Sequence, residues 1–132
     1  MTNPIRRIAI CTGGGDAPGL NAVISSVVWA ATNRGWDCVG IRDGFNGILE
    51  PGLYPDGGVI ALTRERVRGI SHLGGTMLGS TNKGNPLEYP VRQADGSVRA
   101  TDRSQEILDY FLREGIDALV SVGGDGSLTI AN

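Results

Sequence analysis

The stretch Arg7-Ile8-Ala9-Ile10-Cys11-Thr12-Gly13-Gly14-Gly15-Asp16-Ala17-Pro18-Gly19-Leu20 decides the fold. Its first six residues are an apolar run of strand length, the pattern of a parallel strand buried on both faces. The glycines then turn the chain. From Leu20 the apolar residues Leu20, Val23, Ile24, Val27, Val28 and Ala31 recur at helical spacing, which predicts an amphipathic helix. Asn33-Arg34-Gly35 ends that helix, and Trp36 to Ile41 supplies a second strand. Strand, glycine turn, helix and strand in this order make a parallel crossover unit.

The rest of the chain extends the same α/β pattern. Asp43-Gly44-Phe45-Asn46-Gly47 reads as a loop. Thr63 is expected to cap a helix from Arg64 to about Leu73, and residues 74–86 read as a long loop. Asp95-Gly96, between Val91 and Val98, signals a hairpin. Asp102 and Gln105 are placed like a capping box for a helix carrying Ile107, Leu108, Phe111 and Leu112 and ending at Gly115. Ile116 to Val122 reads as another buried strand, followed by Gly123-Gly124-Asp125-Gly126-Ser127 and a first helical turn at Leu128 to Asn132. The fold class is therefore α/β, a three-layer parallel sheet of Rossmann-like type. A full helix normally follows such a strand and loop and covers the sheet. We expect residues 1–132 to be a single, partial nucleotide- and phosphate-binding domain. Its uncovered sheet should favour self-association or domain swapping.

Composition narrows the function classes. The chain has 132 residues, a net charge of −2 and no block of like charge, which argues against a nucleic-acid partner held by bulk electrostatics. No apolar run reaches membrane-helix length, and the N-terminus lacks a signal-peptide pattern, so a cytoplasmic location is expected. Cys11 and Cys38 fall in strands and not in a C-x-x-C pair, and read as reduced core residues. There are 21 glycines, more than twice the usual share of roughly 7%. They cluster at 13–15, 74–79 and 123–126.

Two of those clusters follow a strand and open a helix, where open α/β sheets bind ligands and where exposed amides suit phosphate. The first matches neither G-x-G-x-x-G nor a Walker A loop, because Leu20-Asn21 stands where Lys-Ser/Thr would be. Charge neutralisation must come from Mg²⁺ or from basic residues elsewhere. The second cluster holds Asp125. An N-cap role would explain the carboxylate but not the glycines around it, so a contact to Mg²⁺, direct or through water, is expected.

These motifs resemble those of the 6-phosphofructokinases. Thr12–Ala22 looks like the opening signature of that family, and Asp43–Gly47, Gly74–Ser80 and Gly123–Ser127 follow in the family's order. The last motif alone also resembles loops of NAD kinases and diacylglycerol kinases, but the first does not. The resemblance implies the N-terminal part of an enzyme that transfers a phosphoryl group, with Mg²⁺, from ATP to the 1-hydroxyl of fructose 6-phosphate in glycolysis. It also implies a homo-oligomer of a family that includes allosteric enzymes. It places Gly14 and Gly15 at the donor phosphates and Phe45 against the nucleotide. Asn82, Lys83, Gly124, Asp125, Gly126 and Ser127 would hold the donor, with Asp125 also serving the metal. Glycine at 126 leaves room for a nucleotide's α-phosphate, where pyrophosphate-dependent relatives carry aspartate.

The chain departs from the family pattern at several points. Asn82 stands where ordinary bacterial ATP enzymes have an arginine, which keeps pyrophosphate open as donor. Ser25 and Trp29 stand where allosteric bacterial enzymes place arginines on the first helix, which argues against the usual effector site. The family's Thr-x-Asp catalytic base and its sugar-phosphate arginines would lie beyond Asn132. No catalytic residue is therefore expected in this chain, which should not turn over alone. A non-catalytic nucleotide-binding module is the alternative of a different class. Among the remaining residues, His72 reads as structural, and Arg64, Arg66 and Arg68 as a solvated helix face. Trp29 and Trp36 read as packing residues, with Trp29 on the polar side of its helix as an oligomer contact.

Overall fold

The computed structural model describes residues 5–12, 20–69, 77–79 and 89–122. In chain order the elements are β1 (Arg7–Thr12), α1 (Leu20–Asn33), β2 (Asp37–Ile41), the one-turn α2 (Asn46–Leu49) with a 3₁₀ turn at Pro51–Leu53, β3 (Val59–Ala61), β4 (Tyr89–Arg92), β5 (Val98–Thr101), α3 (Ser104–Glu114) and β6 (Ala118–Val122). The main sheet has the order β3-β2-β1-β6. β1 lies parallel to both β2 and β6, as the crossover pattern requires.

β1 is the centre of the sheet because it is apolar on both sides. Ile8 and Ile10 pack with Ile24, Val28 and Ala31 of α1 and with Leu62, Val67 and Leu78. Ala9 and Cys11 face the other way and pack with Ile41, Ile48, Leu49 and Ile107, against α2 and α3. Period-two alternation across a sheet covered on both faces is what a near-continuous apolar strand encodes. Both cysteines are buried and free. Burial pushes the Cys38 thiol up to about 12. It also raises Cys11, an effect its contact with Ser121 only partly opposes. Both thiols stay protonated at neutral pH, as core residues should.

The start of the sheet is locked by one carboxylate. Asp117 Oδ2 accepts from the Arg6 and Arg7 amides at 2.8 and 3.1 Å, while the Asp117 amide donates to the Arg7 carbonyl. These bonds hold the Asp117 carboxyl below its ordinary range and fix the register of β6 on β1.

Several local expectations are corrected. The sheet is mixed, because β3 joins the β2 edge antiparallel. The segment after Asp43 winds into α2 instead of staying a loop. Its path is set by a close backbone approach: a Cβ on Gly47 would lie 1.9 Å from the Gly58 carbonyl oxygen. Residues 64–69 form consecutive turns and not an α-helix, although Thr63 Oγ1 does accept from the Arg66 amide; residues 70–73 lie outside the described residues. Trp36 precedes its strand. α3 begins at Ser104, with Asp102 Oδ1 accepting from the Ser104 amide and hydroxyl. Gln105 donates along the helix to Asp109 instead of closing a capping box. β6 is half-buried along its length, not buried. The β4–β5 hairpin turns at Asp95-Gly96, and α3 ends at Gly115 in the left-handed region, both as expected.

Among the surface residues, Trp29 is 46% exposed. The Arg64 guanidinium lies 4.3 Å over its ring and also bonds Asn33 Oδ1. Arg64 is thus half-buried and stacked, whereas Arg66 and Arg68 are exposed as expected. His72 lies outside the described residues. Among the described residues, no helix is long and apolar enough to cross a membrane.

Candidate donor-phosphate site

The site is built at the carboxyl ends of β1, β2 and β6. Thr12 and Val122 are register partners on adjacent parallel strands. The glycine-rich stretches 13–19 and 123–126 therefore follow, in sequence, from neighbouring points on one sheet edge. Gly14, Gly15, Gly124, Asp125, Gly126 and Ser127 lie on these stretches, and Asn82 and Lys83 on another. All eight fall outside the described residues, and the structure describes the strand ends from which they depart.

A third segment reaches the same point. Met77-Leu78-Gly79 is held by four bonds from three directions. The Met77 amide donates to Asn21 Oδ1 at 2.6 Å, and the Met77 carbonyl accepts from Arg42 Nη1 at 2.8 Å. The Asp43 amide donates to the Leu78 carbonyl at 2.9 Å. Thr12 Oγ1 donates to the Gly79 carbonyl at 2.7 Å. The Leu78 side chain plugs the core beneath, 1% exposed, a burial that stabilises by about 2 kcal/mol. Gly79 has a φ of 78°, and a Cβ there would lie 2.2 Å from Asp43 Oδ1. A side chain is excluded both by conformation and by space.

The turn after β2 supplies the other wall. Asp43 holds a φ of 48°, in the left-handed region that aspartate tolerates better than most residues. Its Oδ2 accepts from the Tyr54 hydroxyl at 2.9 Å. Arg42 grips Asp56 Oδ2 through Nε and Nη2 at 3.0 and 2.7 Å, and this bond holds the Asp56 carboxyl below its ordinary range. Arg42, Asp43, Tyr54, Asp56, Met77 and Gly79 line a cleft of about 510 Å³. Both carboxylates in it already have partners. Among the described residues no group of three His, Cys, Asp or Glu side chains could hold a metal ion. The described part of the site therefore positions backbone and shapes space.

Phe45 is the one sequence-predicted site residue within the described residues. It flanks α2 at its start and is half-buried, with part of its ring packed against the cluster beneath the sheet. Thr12, Asn21 and the 77–79 segment fall inside the motifs Thr12–Ala22 and Gly74–Ser80 that sequence reading singled out, but without a role of their own there, and Arg42 was missed. One signal for Asn21 was present: it falls on the buried stripe of α1 with Ile24, Val28 and Ala31, a polar residue where periodicity calls for an apolar one. Val23, counted in that stripe, is 39% exposed.

Comparison with known proteins supplies the family. The phosphofructokinase family model matches residues 7–132. ATP-dependent 6-phosphofructokinase 1 of Synechocystis is 46% identical over 127 residues, covering 96% of this chain and 33% of that protein. The pyrophosphate–fructose 6-phosphate 1-phosphotransferase of Streptomyces coelicolor is 38% identical over 126 residues, covering 95% of this chain and 32% of that protein. A crystal structure of Pichia pastoris phosphofructokinase in the T-state superposes with a TM-score of 0.74 at 31% identity, covering 99% of this chain and 12% of that one. The chain thus spans about a third of the length of the curated relatives it matches. On the family match across residues 7–132, the chain belongs to the phosphofructokinase family.

Proposed function

We propose that this chain is the donor-binding part of an ATP-dependent 6-phosphofructokinase, the reaction being transfer of the γ-phosphoryl group from MgATP to the 1-hydroxyl of fructose 6-phosphate. The observation that carries the reading is the pairing of Thr12 with Val122. It starts two glycine-rich stretches at neighbouring points on one sheet edge, where backbone amides can converge on a chain of phosphates. Gly14 and Gly15 on one stretch and Gly124, Gly126 and Ser127 on the other would hold the donor. Phe45 would lie against the nucleotide, and Asn82 and Lys83 near the transferring group. Asp125 would hold Mg²⁺, a hard cation that suits a carboxylate oxygen. When bound, the ion neutralises the charge that develops on the phosphoryl oxygens. Gly126 favours ATP over pyrophosphate, as the smaller residue beside a nucleotide's α-phosphate.

The sugar-phosphate site and the catalytic base belong, on this reading, to a following region, with residues 1–132 as one partial domain. The protein would act in glycolysis, in the cytoplasm, as a homo-oligomer. Calorimetry of the chain with MgATP, with pyrophosphate in parallel, tests the donor site. MgATP should bind, and Asp125→Ala should weaken it by tenfold or more. Tighter binding of pyrophosphate would reassign the donor, and an unaltered affinity in the variant would remove Asp125 from the metal.

A further inference from the structure

Three stretches that the donor reading uses depart from residues gathered around one side chain. Thr12 precedes Gly13 in the chain, pairs across the sheet with Val122, and donates its hydroxyl to the carbonyl of Gly79, the residue before Ser80. Thr12 is fully buried. A threonine hydroxyl in a strand end of otherwise apolar residues needs a specific partner, because burying it unpaired is costly. One such partner, the Gly79 carbonyl, is 67 positions away in sequence. On the far side of the first glycine stretch, Asn21, also buried, accepts from the Met77 amide. Thr12 and Asn21 thus hold the two ends of the same tripeptide, and Arg42 and Asp43 hold its other carbonyls.

We infer that Thr12 is a positioning residue for the donor site: its hydroxyl fixes the 77–79 segment at the carboxyl end of β1, the point from which the first glycine-rich sequence continues. The role rests on the donor-site reading above. Thr12 touches no reacting atom in it. The hydroxyl transmits position: losing it removes the bond that ties the Gly79 carbonyl to β1.

Thr12→Val removes the hydroxyl at nearly constant volume, and Thr12→Ser keeps it while removing the methyl. Amide exchange of the ligand-free chain is followed in peptides covering 77–86, 13–19 and, as a remote reference, 104–112. MgATP affinity is measured by calorimetry. Thr12→Val should speed exchange about tenfold in 77–86 with 104–112 unchanged, and should weaken MgATP about tenfold, the size of one lost hydrogen bond; Thr12→Ser should restore both. Should Thr12→Val not fold, Thr12→Cys, of similar size and a far weaker donor, carries the same expectation. Unchanged exchange in 77–86 overturns the inference, as does faster exchange there with MgATP affinity intact. Absence of MgATP binding to the unsubstituted chain would instead break the donor reading, while exchange in 77–86 still decides whether Thr12 holds the segment.

Discussion

α1 and α3 cover opposite faces of the same sheet, yet they are held there by different forces. α1 buries Leu20, Asn21, Ile24, Val28 and Ala31, with Ile24 and Val28 fully enclosed. α3 buries only Ile107 and leaves Leu108 54% and Leu112 82% exposed. What α3 lacks in packing it gains in polar tethering at its start. Arg103 donates to the Leu49 carbonyl at 2.9 Å, pairs with Glu50 at 2.9 Å and with Glu106 at 2.5 Å, its own side chain 14% exposed. The two layers should therefore fail under different insults: one to lost methylene groups, the other to lost charge.

The largest effect should come from the packed layer. Ile24→Ala removes a fully buried side chain between β1 and the 78 region, and should cost about 2–5 kcal/mol in chemical denaturation. A cost under about 1 kcal/mol would mean that α1 is not the firmer layer. Next comes the tether. Arg103→Ala should cost about 2 kcal/mol, from charge-assisted bonds lost to α2 and to Glu106, and should speed amide exchange in α3 before α1.

Acid should imitate the Arg103 variant. Arg103 holds the Glu106 carboxyl below its ordinary range, and the Ser104 hydroxyl and amide do the same for Asp102. Carboxyls depressed in the folded state contribute stability above their unfolded values near pH 4, and that stability is lost as pH falls through the folded values. Exchange at α3 should thus accelerate below about pH 4 while α1 remains protected. Simultaneous loss of both layers would erase the distinction. The smallest effect belongs to Leu112→Lys. It should move stability by no more than about 0.5 kcal/mol, yet lower the apparent mass in light scattering if exposed apolar surface drives self-association.

How much of this was legible in sequence follows the same division. β1, α1, β2, the hairpin and β6 were readable because each is an apolar run or a sustained periodicity bounded by glycine or a turn dipeptide. β3 was not: Val59-Ile60-Ala61 is three residues long, and its pairing depends on β2 already being in place. The start of α2 hid in Asp43–Gly47, whose two glycines and aspartate signal a loop locally, while the close approach of Gly47 and Gly58 is a tertiary event. The glycine stretches drew attention to the right end of the sheet. The bonds that organise that end, from Thr12, Asn21 and Arg42 to residues 77–79, span 67, 56 and 35 positions. No local pattern carries separations of that kind; the motifs Thr12–Ala22 and Gly74–Ser80 named the stretches, and the misplaced polarity of Asn21 on an apolar stripe hinted at one of the bonds.

The lock that Asp117 places on Arg6 and Arg7 also has a temporal side. β1, β2 and β3 are complete by residue 61, but β6, the other neighbour of the central strand, ends at residue 122. At ribosomal speeds of roughly 5–20 residues per second, about 3–12 s separate the two. During that interval one edge of β1 has no strand beside it, and its completion requires contacts more than a hundred positions apart. Such high contact order slows folding. The nascent chain therefore carries an open edge on β1 for seconds, a window in which chaperone capture and misassembly compete with the arrival of β6.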